Sequence, residues 1–231
     1  MRKYLHKFNT EAAFDTAYNG EDYHEPWVSL VAENGQVNYN KKIEIEYVDL
    51  GLPSGTLWAT HYLGATEDNP SGDLYYWGEI EPLDSLDSIY KFATEPYNEP
   101  YGSNGHDYSK YNNSDNKVYL DSEDDAAIQT LGNGWHIPTR EQVQELVENC
   151  TISDVGSYQL TLTSNINGNT ITLIKAREHN EIFTNEAKEP ENYVLAKSYI
   201  YTLWFDTSYG GYVDCSAEER RFPGRILPVK G

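Results

Sequence analysis

The segment Gly132–Cys150 constrains the fold more than any other part of the chain, because it predicts a strand, a turn and a capped helix in succession. Trp135 and Ile137 alternate as they would in one short strand, and glycines and a proline fix the turns around them. Thr139 and Gln142 then have the Thr-x-x-Gln spacing of a capping box. Apolar side chains follow at helical offsets, at Val143, Leu146, Val147 and Cys150. The pattern therefore predicts an amphipathic helix that buries one face.

The same segment resembles the Gly-x-Trp-Arg-x-Pro-Thr-x-x-Glu signature of bacterial and phage proteins with the C-type lectin fold, which are related to the formylglycine-generating enzymes. His136 stands where that family has arginine. The blocks 47–60 and 63–79 are similar to the opening of the subfamily common in gut anaerobes and their phages. The ending, 220–229, is similar to the close of the family, with Leu227 in place of its second arginine. The resemblance implies an α+β, C-type-lectin-like fold with mostly antiparallel sheets, one or two short helices and long loops.

Residues 1–43 differ from the remainder and predict a small N-terminal helix and hairpin. A helical pattern over 10–18 is followed by two possible strands, 27–31 and 36–39, around an Asn-Gly turn. This segment is too small to form a hydrophobic core by itself. It resembles N-terminal segments of phage tail and fibre proteins, which implies a role in attachment or oligomerisation; a plain hairpin packed on its own domain is the alternative. We therefore divide the chain into 1–43 and a lectin-like domain, 44–231.

The remaining pattern predicts one long loop, a short helix and several strands. Residues 81–125 are rich in Asp, Asn, Ser, Tyr and Pro and predict an ordered surface loop. Its acidic end, 121–125, precedes Ala126 and favours the N-terminus of a short helix. The predicted strands are 158–163, 170–175, 193–199, 201–206, 211–215 and 225–229.

Charge excludes two classes of partner. The formal net charge is −20, and a chain so acidic is repelled by nucleic acid and by anionic membrane surfaces. No apolar run reaches membrane-spanning length, and the start of the chain lacks the apolar core of a secretion signal. Cellular relatives in the resembling family tend to carry a signal or lipid anchor, so we expect a virion protein assembled in the host cytoplasm. Cys150 and Cys215 could pair, although free thiols are the commoner state in such a protein.

Tyrosine is the compositional outlier, with 20 copies in 231 residues. Tyrosine gives stiff, amphipathic contact area, which recognition surfaces favour. The resembling family builds its ligand surface from C-terminal strands and loops. The predicted ligand-binding residues are accordingly Tyr199, Tyr201, Trp204, Asp206, Tyr209, Tyr212, Asp214 and Arg220. Because strands bury alternate residues, Leu203, Trp204 and Phe205 could instead belong to the core.

The sequence predicts neither a metal site nor an enzyme. The six histidines lack zinc-ligand spacing, and Glu189–Asn192 and Trp204–Asp206 each depart by one residue from the motifs of calcium-dependent lectins. Phosphate-binding loops, nucleophile elbows and dinucleotide fingerprints are absent from the sequence, so we expect no cofactor. Cys215 lies where the related enzymes use cysteine chemistry, but no second cysteine is placed to resolve it.

These expectations converge on a non-enzymatic phage virion protein, a component of a head or tail fibre. The N-terminal segment would bind other virion proteins, the chain would form a homotrimer, and the lectin-like domain would bind a host cell-surface glycan or protein. Two alternatives remain open at this point. The domain could be purely architectural and have no host ligand, or the chain could be a bacterial cell-surface lectin-like binding protein.

Overall fold

The structure is a computed structural model, and all the residues that it describes belong to the second of two units of the chain, Ile45–Gly231. The predicted segment 1–43 lies outside the described residues, as do the acidic motif Glu189–Asn192 and most of the predicted strand 193–199. The described residues are 45–84, 90–93, 108–112, 114–115, 117–132, 134–175, 181–188 and 199–231.

The described residues form a mixed α+β fold, which confirms the coarse fold class. Helix α1 spans Ala126–Leu131 and helix α2 spans Arg140–Asn149. The strands are β1 (Tyr47–Asp49), β2 (Leu57–Ala59), β3 (Trp135–His136), β4 (Cys150–Val155), β5 (Gln159–Ser164), β6 (Thr170–Ile174), β7 (Ile182–Ala187), β8 (Tyr199–Asp206), β9 (Tyr212–Glu219) and β10 (Val229–Lys230). They form three sheets with the orders β1-β2-β10-β3, β4-β5-β6 and β7-β8-β9, and every ladder in them is antiparallel. In the described part of the chain, no helix is long and apolar enough to cross a membrane.

Helix α2 begins and packs as the sequence predicts. The Thr139 hydroxyl accepts the Gln142 amide at 3.2 Å, and the Gln142 side chain accepts the Thr139 amide at 2.9 Å, so the capping box is closed. Val143 and Leu146 are buried against the first of two core clusters. Cys150 is buried too, but it begins β4 instead of ending the helix.

The sheet β4-β5-β6 has a buried apolar face and an outward hydroxyl face. The predicted hairpin is confirmed: β5 pairs β6 from Gln159↔Ile174 to Thr163↔Thr170. Alternation buries Leu160, Leu162, Ile171 and Leu173. Strand β4, which the sequence pattern did not predict, adds to the other edge of β5 with a bulge between Ile152 and Asp154.

The sheet β7-β8-β9 corrects the predicted C-terminal strands. Strand β8 runs without interruption from Tyr199 to Asp206, and β9 continues to Glu219, beyond the predicted end at Cys215. Strand β7 was not predicted; it pairs β8 through Ile182↔Leu203 and Phe183↔Thr202. The region predicted as a strand over 225–229 contributes only a bridge at Arg225 and the start of β10 at Val229.

Part of the predicted loop 81–125 contributes to a second core cluster, which corrects the expected surface loop at its buried aromatic residues, whereas Glu81, Lys117 and Glu123 are exposed. Tyr90, Phe92, Tyr108 and Tyr111 are buried there with Trp77. Their rings meet edge to face or tilted, with centroids 5.1–5.9 Å apart. Aromatic area stabilises the described residues of this segment, which form isolated bridges at Ala93↔Tyr108 and Tyr119↔Glu186.

Helix α1 confirms the predicted role of the acidic run before it. Asp125 Oδ1 accepts the amides of Ala127 and Ile128 at 2.9 and 3.0 Å, which caps the helix N-terminus. Asp125 Oδ2 accepts the amide of Ile137 at 2.9 Å. One buried carboxylate therefore joins α1 to the chain between β3 and α2.

Candidate functional site

The hairpin β8-β9 brings four of the eight predicted ligand-binding residues onto one face. Trp204 is paired with Asp214, and Asp206 is paired with Tyr212, in a register without a bulge. Residues that pair directly project to the same side of a sheet. We call these four residues the aromatic–acidic face.

Two rings form the apolar part of the aromatic–acidic face. Trp204 and Tyr212 have ring centroids 5.7 Å apart and planes inclined at 57°. Tyr212 is 51% exposed, and Trp204 is half-buried. Trp204 was open to assignment as core, but its burial is partial, whereas Leu203 and Phe205 on the opposite side of β8 are fully buried. The rings thus present an aromatic surface to solvent on a rigid strand pair.

A hydrogen bond orders the acidic part of the face beside the rings. The Tyr212 hydroxyl donates to Asp214 Oδ2 at 2.9 Å, and the Cys215 amide donates to Asp214 Oδ1 at 2.8 Å. The bond to Asp214 raises the pKa of Tyr212, because the carboxylate favours the protonated phenol. Since the Tyr212 proton is already donated, its oxygen presents lone pairs outward.

Asp206 lies at the turn end of the face, where Lys175 contacts it. The Ser208 amide donates to Asp206 Oδ1 at 2.6 Å, and Lys175 Nζ lies 3.4 Å from the same oxygen. The hydrogen bonds from Ser208 lower the pKa of Asp206, with Lys175 adding to the effect, so this carboxylate is charged at neutral pH. Lys175 was not among the predicted site residues, because its place beside β8 depends on the packing of two sheets.

A second exposed aromatic residue, Tyr158, lies in the turn beside this end of the face and was also missed. Its carbonyl accepts the Lys175 amide at 2.8 Å, and the adjacent Ser157 carbonyl accepts the Thr207 hydroxyl at 3.4 Å. The first bond joins the β4-β5 turn to the end of β6, and the second joins it to the β8-β9 turn. The only sequence signal was an aromatic residue at a predicted strand start.

Tyr199 and Tyr201 lie on the opposite side of β8 from the aromatic–acidic face. Both are half-buried, and burial is the first cause of the raised pKa of Tyr199. The guanidinium carbon of Arg140, the first residue of α2, lies 3.9 Å from the ring centroid of Tyr201. The predicted set therefore divides between two sides of one strand.

Arg220 does not belong to a surface face, which corrects its predicted placement. It is 0% exposed and lies in the second core cluster. Its Nε and Nη2 donate to the Tyr90 hydroxyl at 3.0 and 2.7 Å, and Nη1 donates to the Tyr111 carbonyl at 2.9 Å. The guanidinium carbon also lies 4.0 Å from the ring centroid of Tyr108. Arg220 therefore stabilises the aromatic cluster.

Of Tyr209, the remaining predicted residue, only the backbone is described, in the 3-10 turn Ser208–Gly210.

The thiols and the acidic cluster of the described residues have structural explanations. Cys150 and Cys215 are free, and burial raises the pKa of each to about 11, which suppresses the thiolate. Carboxylate oxygens of Asp121, Glu123 and Asp124 lie within 4.8 Å of one another. Lys110 Nζ reaches all three, at 2.8, 2.9 and 2.5 Å. These carboxylates are ion-paired through one lysine.

Comparison with known proteins returns no similarity: no family model, no curated protein and no solved structure matches the chain.

Proposed function

We propose that the chain is a non-enzymatic phage virion protein, a head or tail fibre component whose lectin-like domain binds a host cell-surface glycan or protein. The aromatic–acidic face carries this proposal. It combines two partly exposed rings, two carboxylates and a hydrogen-bonded hydroxyl on one hairpin of continuous register. Such a combination is typical of recognition surfaces, where aromatic area supplies contact and a few polar groups supply orientation.

The chemistry of the face suits a sugar ring. The C–H groups on one side of a pyranose can lie against the Trp204 ring, and its hydroxyls can donate to the Asp214 carboxylate. The bond between Tyr212 and Asp214 fixes the acceptors before the ligand arrives, which lowers the entropic cost of binding. Tyr212 is exposed and the other three residues of the face are partly exposed, so a large surface polymer can reach them.

The proposed C-type-lectin-like fold is supported by the position of the segments that carry the resemblance. The blocks 47–60, 134–141 and 220–229 contribute to all four strands of one sheet, β1-β2-β10-β3. Val229 pairs with Trp58 on one side and with His136 on the other, so the end of the domain closes against its beginning.

The N-terminal segment 1–43 is proposed to attach the domain to other virion proteins and to form a homotrimer. One shallow face binds a sugar weakly, and several faces on one assembly would raise the apparent affinity by effective concentration. Deleting residues 1–43 is expected to abolish assembly and to leave the domain folded, as light scattering and circular dichroism would show. A truncated chain that still assembles would contradict this role.

The binding proposal is tested with the double variant Trp204→Ala, Tyr212→Ala. The assay is binding of the purified full chain to intact gut anaerobes and to their extracted capsular polysaccharide, with calcium and with chelator. We expect saturable binding that survives chelation and falls at least tenfold in the double variant, about the loss of 1.4 kcal/mol. Tyr119→Ala is the matched control, because Tyr119 is also 51% exposed but lies outside the face. Unchanged binding by the folded double variant would refute the proposed face.

A purely architectural role is the second candidate, favoured by the outward face of β4-β5-β6. Thr161 and Thr172 hydroxyls lie 3.1 Å apart, and the Thr163 hydroxyl donates to Ser153 at 2.7 Å. These hydroxyls bear no charge in a chain of net charge −20, so copies could meet there without bringing many carboxylates together. The absence of binding to any cell surface, with assembly intact, would favour this role.

A further inference from the structure

We infer that the aromatic–acidic face takes an uncharged sugar ring and discriminates against sugars that carry a carboxylate or sulfate. This inference rests on the proposed function and names the ligand class of that same site. It follows from which polar atoms of the face remain open to a ligand, and from the charges around them.

The open polar atoms of the face are mainly hydrogen-bond acceptors. The Tyr212 proton is committed to Asp214 Oδ2, which leaves the phenol oxygen and the carboxylate to accept. Asp214 Oδ1 takes one backbone amide and retains acceptor capacity. Asp206 accepts from Ser208 and Lys175 and also retains capacity. These acceptors are matched by a ligand that donates, as a sugar hydroxyl does.

The surrounding charges oppose an anionic ligand. The face itself carries two carboxylates, those of Asp206 and Asp214. Among the described residues, the cation that contacts the face is Lys175, and its ammonium already lies 3.4 Å from Asp206. A carboxylate on the sugar would meet like charges within a few ångströms, inside the screening length of about 8 Å at physiological salt. Like-charge contacts of this kind suppress wrong partners.

The contact between the sugar and the two aromatic rings does not depend on charge, and it supplies a favourable part of the binding free energy. Trp204 and Tyr212 offer apolar area inclined by 57°, which suits the C–H side of a pyranose. A neutral sugar therefore gains both the ring contact and the acceptor bonds. An acidic sugar gains the ring contact alone, and repulsion between its carboxylate and the carboxylates of the face weakens its binding.

The test separates extracted capsular polysaccharide into a neutral and an acidic pool by anion exchange and measures binding of the full chain to each. We expect the neutral pool to bind at least tenfold more tightly than the acidic pool at low salt, and the difference to shrink as salt rises. Reducing the carboxyl groups of the acidic pool to alcohols should restore binding. Asp214→Asn keeps the shape of the side chain, removes its charge and replaces one acceptor with a donor. It should weaken binding to the neutral pool and strengthen binding to the acidic pool.

Asp154→Asn is the control, because Asp154 is an exposed residue of β4, so the change removes one charge and leaves the aromatic–acidic face intact. An acidic pool that binds as well as the neutral pool, with binding still lost in Trp204→Ala, Tyr212→Ala, would overturn the selectivity and leave the proposed function standing. Binding that is destroyed by protease and unaffected by periodate would identify a protein ligand and would also overturn it. Failure of both pools and of intact cells would overturn the selectivity together with the proposed glycan binding.

Discussion

The buried carboxylate of Asp125 gives the sharpest prediction about the scaffold. Asp125 is 2% exposed and accepts three backbone amides, those of Ala127 and Ile128 through Oδ1 and that of Ile137 through Oδ2. In Asp125→Asn the cap can persist through the amide oxygen. The amide nitrogen must then face the Ile137 N–H, so at least one buried donor loses its acceptor.

The magnitude follows from the groups that lose partners. A buried donor without an acceptor costs about 1–3 kcal/mol, so Asp125→Asn should lower the free energy of unfolding by that amount. Asp125→Ala removes the cap as well, which adds about 1 kcal/mol and brings the loss to roughly 2–4 kcal/mol. With a urea m-value of about 2 kcal/mol/M, the midpoint should fall by about 1 M in Asp125→Asn and by about 1.5 M in Asp125→Ala.

The assay is urea unfolding of the full chain, followed by tryptophan fluorescence. Glu123→Gln is the matched control, because it neutralises a carboxylate two residues away whose side chain is 76% exposed. It should change the midpoint little, since exposed ion pairs contribute about 0–1 kcal/mol. An Asp125→Asn midpoint equal to that of the wild type would refute the assigned bond to Ile137.

Three further predictions test the core, the backbone and the thiols. Arg220→Met should lower the free energy of unfolding by about 2 kcal/mol or more in the same assay, because the buried Tyr111 carbonyl and the buried Tyr90 hydroxyl lose their donors; a neutral effect would contradict its structural role. Gly72→Ala should destabilise the protein far more than Gly55→Ala, although both glycines have a similar positive φ, +69° at Gly72 and +75° at Gly55. A Cβ at Gly72 would lie 2.5 Å from the Leu63 carbonyl oxygen, whereas a Cβ at Gly55 would face open space. Equal losses of stability would contradict this packing. Cys150 and Cys215 should resist iodoacetamide at pH 8 in the native chain and react on unfolding, as mass spectrometry would show. Because burial raises the pKa of each from 9.0 to about 11, the native state holds the thiol protons more tightly, and this contribution to stability is present below pH 9 and lost as pH rises toward 11; rapid native labelling at pH 8 would contradict the burial.

The sequence predicted those elements whose signals are local. The capping box of α2 and the hairpin β5-β6 each depend on residues that are close together in the sequence, and both are confirmed. The cap of α1 by Asp125 is local as well. Strands β4 and β7 were missed because their side chains are mixed in polarity, and their places are fixed by partners in β5 and β8.

The candidate face was predicted in part. A run of aromatic and acidic residues indicated a binding surface. Because alternate residues of a strand face opposite sides, some members of this run were expected to be buried. The continuous register of β8 with β9 decided that Trp204 shares a side with Tyr212 and that Tyr201 does not. The position of Lys175 at the site could not be predicted from the sequence, since Lys175 reaches Asp206 from another sheet.

Local sequence by itself determined where helices begin, where a hairpin turns and that the fold mixes α and β, because capping and alternation act between near neighbours. Only the tertiary structure decided that Trp204 and Asp206 stay partly exposed while Ile200 and Thr202, on the same side of β8, are buried, and that Arg220 lies inside an aromatic cluster. A charged side chain on its own predicts exposure. Arg220 is buried because Tyr90 and Tyr111, more than a hundred residues earlier in the chain, supply acceptors for its guanidinium where the chain folds back on itself.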